Sequence, residues 1–143
     1  MTTFKTSREI AAPVENVFAA FSDPERLARW WGPAGFTNTF SVCEFKNGGR
    51  WSFVMIGPDG HKYPNESVFA EIEAPRKVVI QHVVEPRFQL TVTLHPSPTG
   101  TLVSWAQAFD DPQVASRIAH IVVPSNEQNL DRLAAEVLSP PTV

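Results

Sequence analysis

Residues 110–138, DDPQVASRIAHIVVPSNEQNLDRLAAEVL, decide the fold because they predict one long helix at the end of a chain that otherwise favours strands. The Asp-Asp-Pro motif at 110–112 is typical of a helix start. Apolar residues with helical spacing follow in both halves of the stretch: Val114, Ile118, Ile121 and Val122, then Leu130, Leu133, Val137 and Leu138. Pro124 separates the halves, and Ser125 with Gln128 resembles a capping box. We therefore expect a helix that is kinked or broken near Pro124.

The residues before this helix predict a strand, two short helices and then six further strands. Phe4–Ala11 is extended in character, and helices are expected at about Pro13–Phe21 and Glu25–Trp30, ending before Gly32. Turn chemistry then recurs roughly every ten residues, at 47–49, 57–60, 74–76, 85–87 and 96–100. Regular turns of this kind join consecutive antiparallel strands as hairpins.

This order of elements predicts an α+β architecture with a curved antiparallel sheet of about seven strands. One face of the sheet is strongly apolar, so the long C-terminal helix must cover it, and a cavity forms where helix and sheet diverge. With 143 residues, the chain fits a single domain spanning 1–143, in which 139–143 is expected to be a loose tail.

Composition excludes several classes of function. A net charge of −3 with scattered basic residues provides no overall attraction for nucleic acid, and no apolar run reaches the ~20 residues of a membrane span. The first residues do not resemble a secretory signal, and the single Cys43 cannot form an internal disulfide, so a cytoplasmic location is expected. No metal-binding or nucleotide-binding spacing is present, and we expect no cofactor.

Three of the four tryptophans, Trp30, Trp31 and Trp51, lie close together among turn signals, which is typical of either a core corner or a pocket wall. Trp30 and Trp31 are adjacent and cannot face the same way on a helix, so one is expected at the pocket mouth and the other at the surface or a partner. Six residues of the sheet are expected to pack in the core, with pocket lining as the alternative, and a hollow core is compatible with both: Trp51, Phe53, Met55, Phe88, Leu90 and Trp105.

Strand alternation places a few polar side chains on the inward face. Val78, Ile80, His82 and Val84 share one face, as do Val103, Trp105, Gln107 and Phe109. The alternative for His82 and Gln107 is that they satisfy each other or the backbone. Four other polar residues are interpreted as non-catalytic: His120 as half-exposed, Cys43 as a buried inert thiol, Asp110 as part of a helix cap, and Glu71 as the partner of an arginine across the sheet.

The sequence resembles the activator of Hsp90 ATPase homologue 1-like proteins of the START-like, Bet v 1-like superfamily. The similarity lies in Ile10–Phe18, Asp23–Pro33, Gly48–Met55, Gly57–Gly60, Glu71–Ile72 and Asn129–Ala135, which span nearly the whole chain in order. The resemblance implies a helix-grip fold with a hydrophobic cavity, but no single reaction. Where the commoner form of the family has Gly-Trp, this chain has Ser125-Asn126, and counting back from Leu130 and Leu133 places Asn126 on the inward stripe.

The first functional hypothesis is a protein that binds a small apolar or aromatic molecule in the cavity. The alternatives are an enzyme similar to polyketide cyclases or dehydratases, and a co-chaperone-like interaction module, although the sequence disfavours a Hsp90-like chaperone as partner. A homodimer is left open. The candidate ligand-binding residues are Trp30, Trp31, Trp51, Phe53, Met55, His82, Phe88, Leu90, Trp105, Gln107, Ile121 and Asn126. No catalytic or metal-ligating residue is assigned.

Overall fold

The computed structural model describes residues 2–139, which form seven strands and three helices. In chain order these are β1 (Thr2–Ile10), α1 (Val14–Ser22), α2 (Pro24–Trp30), β2 (Thr37–Cys43), β3 (Gly49–Ile56), β4 (Lys62–Glu73), β5 (Lys77–His82), β6 (Phe88–Ser97), β7 (Gly100–Phe109) and α3 (Pro112–Leu138). The predicted order of elements and the α+β class are confirmed. Positions 140–143 of the predicted tail lie outside the described residues.

All seven strands belong to one antiparallel, curved sheet in the order β1-β7-β6-β5-β4-β3-β2. Consecutive strands from β2 to β7 are neighbours, as expected of hairpins, and β1 pairs with β7 through a register in which Thr6 lies opposite Trp105. The two edge strands, β1 and β2, are connected through α1 and α2. The chain therefore crosses from one end of the sheet to the other before the hairpins begin.

Helix α3 packs against β1, β7 and the two short helices. Leu130 and Leu133 on its inner face are fully buried in the core cluster that includes Val92 and Val103 of the sheet. At roughly 2 kcal/mol for each buried leucine, this stripe is a substantial part of what holds the helix to the sheet. The prediction that the C-terminal helix covers the sheet is confirmed, because Leu130 and Leu133 are buried in that core.

The predicted break at Pro124 is wrong, because α3 is one continuous helix of 27 residues with Pro124 inside it, and the kink predicted as the alternative stays a prediction. Proline removes one helical hydrogen bond, which would have been accepted by the carbonyl of His120. Both residues are exposed, so water can satisfy that carbonyl, while buried residues on either side hold the helix to the core. The predicted capping box is also absent, since the Gln128 side chain accepts a hydrogen bond from the backbone of Ala34 at 3.1 Å instead.

Local sequence signals predicted where two helices start but did not predict the ion-pair partner of Glu71. Asp23 and Asp111 each accept a hydrogen bond from the backbone nitrogen two residues later, at 3.0 and 2.9 Å, and so cap α2 and α3. The expected arginine partner of Glu71 is wrong. Its partner is Lys77 at 3.3 Å, because a register shift after Phe69 brings the start of β5 beside this part of β4.

The inward face assigned to β5 is correct only as far as the strand extends. Val78, Ile80 and His82 are buried, but β5 ends at His82, and Val84 lies in the following loop with 37% of its surface exposed.

No helix of the described residues is long and apolar enough to cross a membrane.

Candidate functional site

A cavity of about 640 Å³ lies between the sheet, the loop after α2 and the middle of α3. Its walls are mostly apolar side chains, including Phe53 of β3, Leu90 of β6 and Trp105 of β7. A small number of polar side chains also face it, notably His82 and Gln107. The sheet and α3 diverge here, as expected for a helix gripped by a curved sheet.

Ten of the twelve candidate residues line this cavity, and the two exceptions are Trp30 and Trp51. Trp30 is 1% exposed, and its indole N–H donates to the carbonyl of Ala20 at 2.8 Å. Trp51 is fully buried, with its ring centroid 4.9 Å from that of Trp31 and 4.3 Å from that of Phe53. These two rings therefore form a layer behind the cavity wall and do not face the cavity.

The prediction that one of the adjacent tryptophans meets the surface is wrong, because both are buried. Helix α2 ends at Trp30, and Trp31 adopts an extended backbone with φ −67° and ψ 134°. This change of direction turns the Trp31 ring away from the helix and places its centroid 6.0 Å from that of Trp105. Of the pair, only Trp31 lines the cavity.

The loop that carries Trp31 is held in place by Arg132, a residue of α3 that the sequence analysis did not single out. Its guanidinium donates to the carbonyl oxygens of five residues at 2.7–3.1 Å: Arg29, Trp31, Gly32, Pro33 and Phe36. Arg132 forms no ion pair within the described residues. Burial lowers the pKa of Arg132, although a guanidinium keeps its charge at neutral pH. The fork shape of this group suits carbonyls at the end of a helix.

His82 has partners at both ring nitrogens. Nδ1 lies 2.8 Å from the carbonyl oxygen of Pro86, and Nε2 lies 2.8 Å from Oδ1 of Asn65, whose own amide N–H donates to Tyr63. The ring also stacks on Phe88, with centroids 4.7 Å apart. The alternative that the backbone satisfies His82 is confirmed by the Pro86 carbonyl, whereas a pair between His82 and Gln107 is wrong, since Gln107 binds Asn126. His82 has no ring nitrogen left over for proton transfer to a ligand.

Gln107 forms its hydrogen bond with Asn126, which connects β7 to α3. The Asn126 side-chain N–H donates to Oε1 of Gln107 at 3.1 Å, and both half-buried residues line the cavity. Asn126 therefore takes the inward position expected for it. The carboxamide introduces hydrogen-bonding capacity into a wall that is otherwise largely apolar.

The mouth of the cavity is more exposed than predicted. Ile121 was expected to face inward, but 55% of its surface is exposed, and Tyr63 of the lining is 44% exposed. The two charged residues of the lining are Lys62 and Glu85, both exposed. His120 is exposed and does not line the cavity.

Groups with catalytic chemistry are not concentrated at this site. Within residues 2–139, no three His, Cys, Asp or Glu side chains come together as a metal site would require. Cys43 is half-buried at the end of β2, and burial raises the pKa of its thiol, which lowers its reactivity at neutral pH. The site offers shape and hydrogen bonds.

Comparison with known proteins agrees with this geometry. The family model of the activator of Hsp90 ATPase homolog 1-like proteins (AHSA1) matches residues 11–137, nearly the whole described chain. The chain belongs to the AHSA1 family. Comparison with curated proteins gives no significant match.

Solved structures show the same fold at low sequence identity. A protein from Arthrobacter aurescens has a TM-score of 0.87 and 27% identity, covering 98% of this chain and 88% of its own. A protein from Nitrosomonas europaea has a TM-score of 0.86 and 21% identity over 94% and 93% of the two chains. An AHSA1-like protein from Aeromonas hydrophila has a TM-score of 0.76 and 23% identity, covering 95% of this chain and 92% of its own. These similarities establish the AHSA1 fold and leave the ligand open.

Sequence analysis of this AHSA1 chain missed part of the cavity wall, chiefly on β4. Tyr63, Asn65 and Ser67 alternate along that strand and line the cavity. The alternation was available as a signal, but the inward residues are polar, so the strand carried no apolar stripe. Asn129 was also missed. It is buried on α3, and its side-chain N–H donates to the carbonyl of Trp30 at 3.0 Å.

Proposed function

We propose that this AHSA1 protein binds a small apolar or aromatic molecule in the cavity between the sheet and α3. The observation that supports the proposal is the cavity itself, whose volume of about 640 Å³ lies within the range of roughly 300–1,000 Å³ found for small-molecule pockets. Apolar walls with a few convergent polar groups provide binding energy and orientation respectively. Family membership alone does not choose a function, because the fold carries several.

Binding is preferred to a cyclase or dehydratase activity because of the hydrogen bonds that His82 makes. A general acid or base needs a nitrogen within reach of the substrate proton, and the two nitrogens of His82 already contact Pro86 and Asn65. Gln107 and Asn126 are amides, which position a ligand but do not transfer protons at neutral pH. The cavity therefore supports holding a molecule more directly than converting it.

A thermal-shift screen tests the proposal, using fatty acids, flavonoids and polyketides as probes. A ligand present at 100 times its dissociation constant stabilises the folded protein by about 2.7 kcal/mol. For a domain of this size, that corresponds to an increase in Tm of roughly 5–11 °C. Asn126→Trp, which places an indole at the cavity wall, is the matched variant and should reduce the shift. If no apolar compound raises Tm, the proposal is wrong.

A further inference from the structure

We propose that the cavity selects an uncharged ligand whose polar end carries a hydrogen-bond donor beside an acceptor, as in an amide, a lactam or a hydroxy-carbonyl compound. This inference rests on the proposed binding function and adds the chemical class of the ligand. It follows from the paired side chains of Gln107 and Asn126, which join β7 to α3 at the cavity wall.

The two amides of this pair have more hydrogen-bonding groups than they use on each other. Each amide has one carbonyl oxygen and one NH2 group. Within residues 2–139 the side chains of Gln107 and Asn126 make this one hydrogen bond, so the NH2 of Gln107 and the carbonyl of Asn126 remain free for water or a ligand. If both amides were turned over, the bond would run in the opposite direction and leave the carbonyl of Gln107 and the NH2 of Asn126. Either arrangement leaves at least one donor and one acceptor.

A ligand that fills the cavity covers these groups, and covered polar groups need partners. A ligand end with an acceptor and a donor side by side satisfies both of them. A purely apolar end leaves both unsatisfied, which costs about 1–3 kcal/mol for each buried group, or roughly 5–150-fold in affinity. The pair therefore discriminates between ligands that differ only at this end.

A carboxylate is disfavoured for two reasons. It has acceptors but no donor, so it repels the free amide carbonyl, and burying a charge without a counter-charge is costly. Lys62, the cationic residue of the lining, is remote from the pair. Strand pairing places Gln107 opposite Leu90, Leu90 opposite Ile80, and Ile80 opposite Phe69 of β4. Lys62 is seven residues before Phe69, which corresponds to roughly 23 Å along the strand.

Other polar groups of the lining do not supply the missing charge. Glu85 of the lining is acidic, and its partner Arg87, 3.6 Å away, does not line the cavity. Both ring nitrogens of His82 are engaged by Pro86 and Asn65, so neither is available to a ligand at the Gln107–Asn126 pair. The pair thus lies in a part of the cavity that presents neutral hydrogen-bonding groups.

Three probes that differ at one end test the inference: naphthalene-2-carboxamide, naphthalene-2-carboxylate and 2-ethylnaphthalene. Isothermal titration calorimetry at neutral pH measures their affinities for the wild-type protein, for the double variant Gln107→Leu/Asn126→Leu and for Gln113→Leu. Replacing both amides avoids leaving one of them unpaired. Gln113 is exposed at the start of α3, away from the cavity, so its variant is a matched control for the same change of side chain.

We expect the wild-type protein to bind the carboxamide at least tenfold more tightly than the carboxylate. The double variant should lose about tenfold in affinity for the carboxamide and bind 2-ethylnaphthalene at least about fivefold more tightly than the wild type does, because this probe no longer covers unsatisfied amides. Gln113→Leu should behave as the wild type does. Circular dichroism confirms that each variant is folded.

The outcomes separate this inference from the function on which it rests. If neither neutral probe binds the wild-type protein, both the proposed function and the ligand class are wrong. If 2-ethylnaphthalene binds but the carboxylate binds as tightly as the carboxamide, the function stands and the ligand class is wrong. The same holds if the double variant binds the carboxamide as the wild type does. Should that variant not fold, the comparison of probes on the wild-type protein still decides the question.

Discussion

Replacing Arg132 with methionine should destabilise the protein strongly, although this arginine forms no ion pair within the described residues. Its guanidinium makes five hydrogen bonds to backbone carbonyls of residues 29–36. Methionine keeps much of the aliphatic stem and removes every donor. The carbonyls of Trp31 and Pro33 then keep one bond each, from the Asn38 side chain and the Phe36 backbone N–H, whereas those of Arg29, Gly32 and Phe36 lose the side-chain donor that the described residues give them.

The size of the effect follows from the number and exposure of these bonds. Nη1 and Nη2 carry four N–H groups between them, so two of the five carbonyls share one; at about 1.5–3 kcal/mol for each N–H group of a charged donor, a simple sum is about 6 kcal/mol or more. The bond to Arg29 is exposed, and water can reach part of the loop once the side chain is gone. We therefore expect a loss of about 3–4 kcal/mol in the free energy of unfolding, a large share of the 5–15 kcal/mol typical of a domain. Arg132→Lys keeps the charge without the planar fork and should recover only part of the loss.

Urea unfolding followed by tryptophan fluorescence and circular dichroism measures this loss. With a slope of about 1.5 kcal/mol per molar urea, the midpoint should fall by roughly 2 M in Arg132→Met. Arg117→Met is the matched control, because Arg117 is exposed on the same helix and makes no hydrogen bond or ion pair within residues 2–139. A loss below 1 kcal/mol in Arg132→Met, or equal losses in the two variants, would refute the assignment of Arg132 as the residue that holds this loop.

Three further predictions concern the cavity, its supporting layer and an ion pair. Asn126→Trp should abolish the stabilisation by large aromatic ligands in thermal-shift assays while the protein remains folded; undiminished shifts would show that ligands bind elsewhere. Trp30→Phe should lower the free energy of unfolding in urea by about 2 kcal/mol, because the hydrogen bond to a backbone carbonyl is lost, and should leave ligand affinity unchanged. Trp31→Phe should change ligand affinity, because this ring lines the cavity. The reverse pattern would contradict the assigned positions. Hydrogen bonds from Arg29 and from a second arginine of α2 hold the pKa of Glu136 below its ordinary value of 4.5. Because the pKa of Glu136 is lower in the folded protein than in the unfolded one, its ionised carboxylate stabilises the fold at every pH above the unfolded-state pKa, and this stabilisation is lost as pH falls through the folded-state pKa. Glu136→Gln should therefore destabilise the protein by about 1 kcal/mol at pH 7, and the difference from wild type should shrink below pH 4.5. A difference that does not vary with pH would contradict this.

The sequence predicted the wall of the cavity where a side chain has a strong preference for one face. Leu90 and Trp105 follow from strand alternation, because an apolar stripe on a strand must face the core. Asn65 and Ser67 were missed since polar residues on an inward face look like residues on an outward one. Arg132 was missed because its partners are backbone carbonyls 96 to 103 positions earlier in the chain, which carry no sequence signal.

The sequence by itself determined the order of elements, the starts of α2 and α3 and the family, because these depend on local spacing and on motifs that are complete within short segments. Only the tertiary structure decided that α3 runs unbroken through Pro124, since packing on both sides of the proline outweighs one lost hydrogen bond. It also decided that Trp31 faces the cavity while Trp30 lies behind it, and that Asn126 meets Gln107. These contacts join residues far apart in the chain, so their energies exist only after the sheet and the helix have come together.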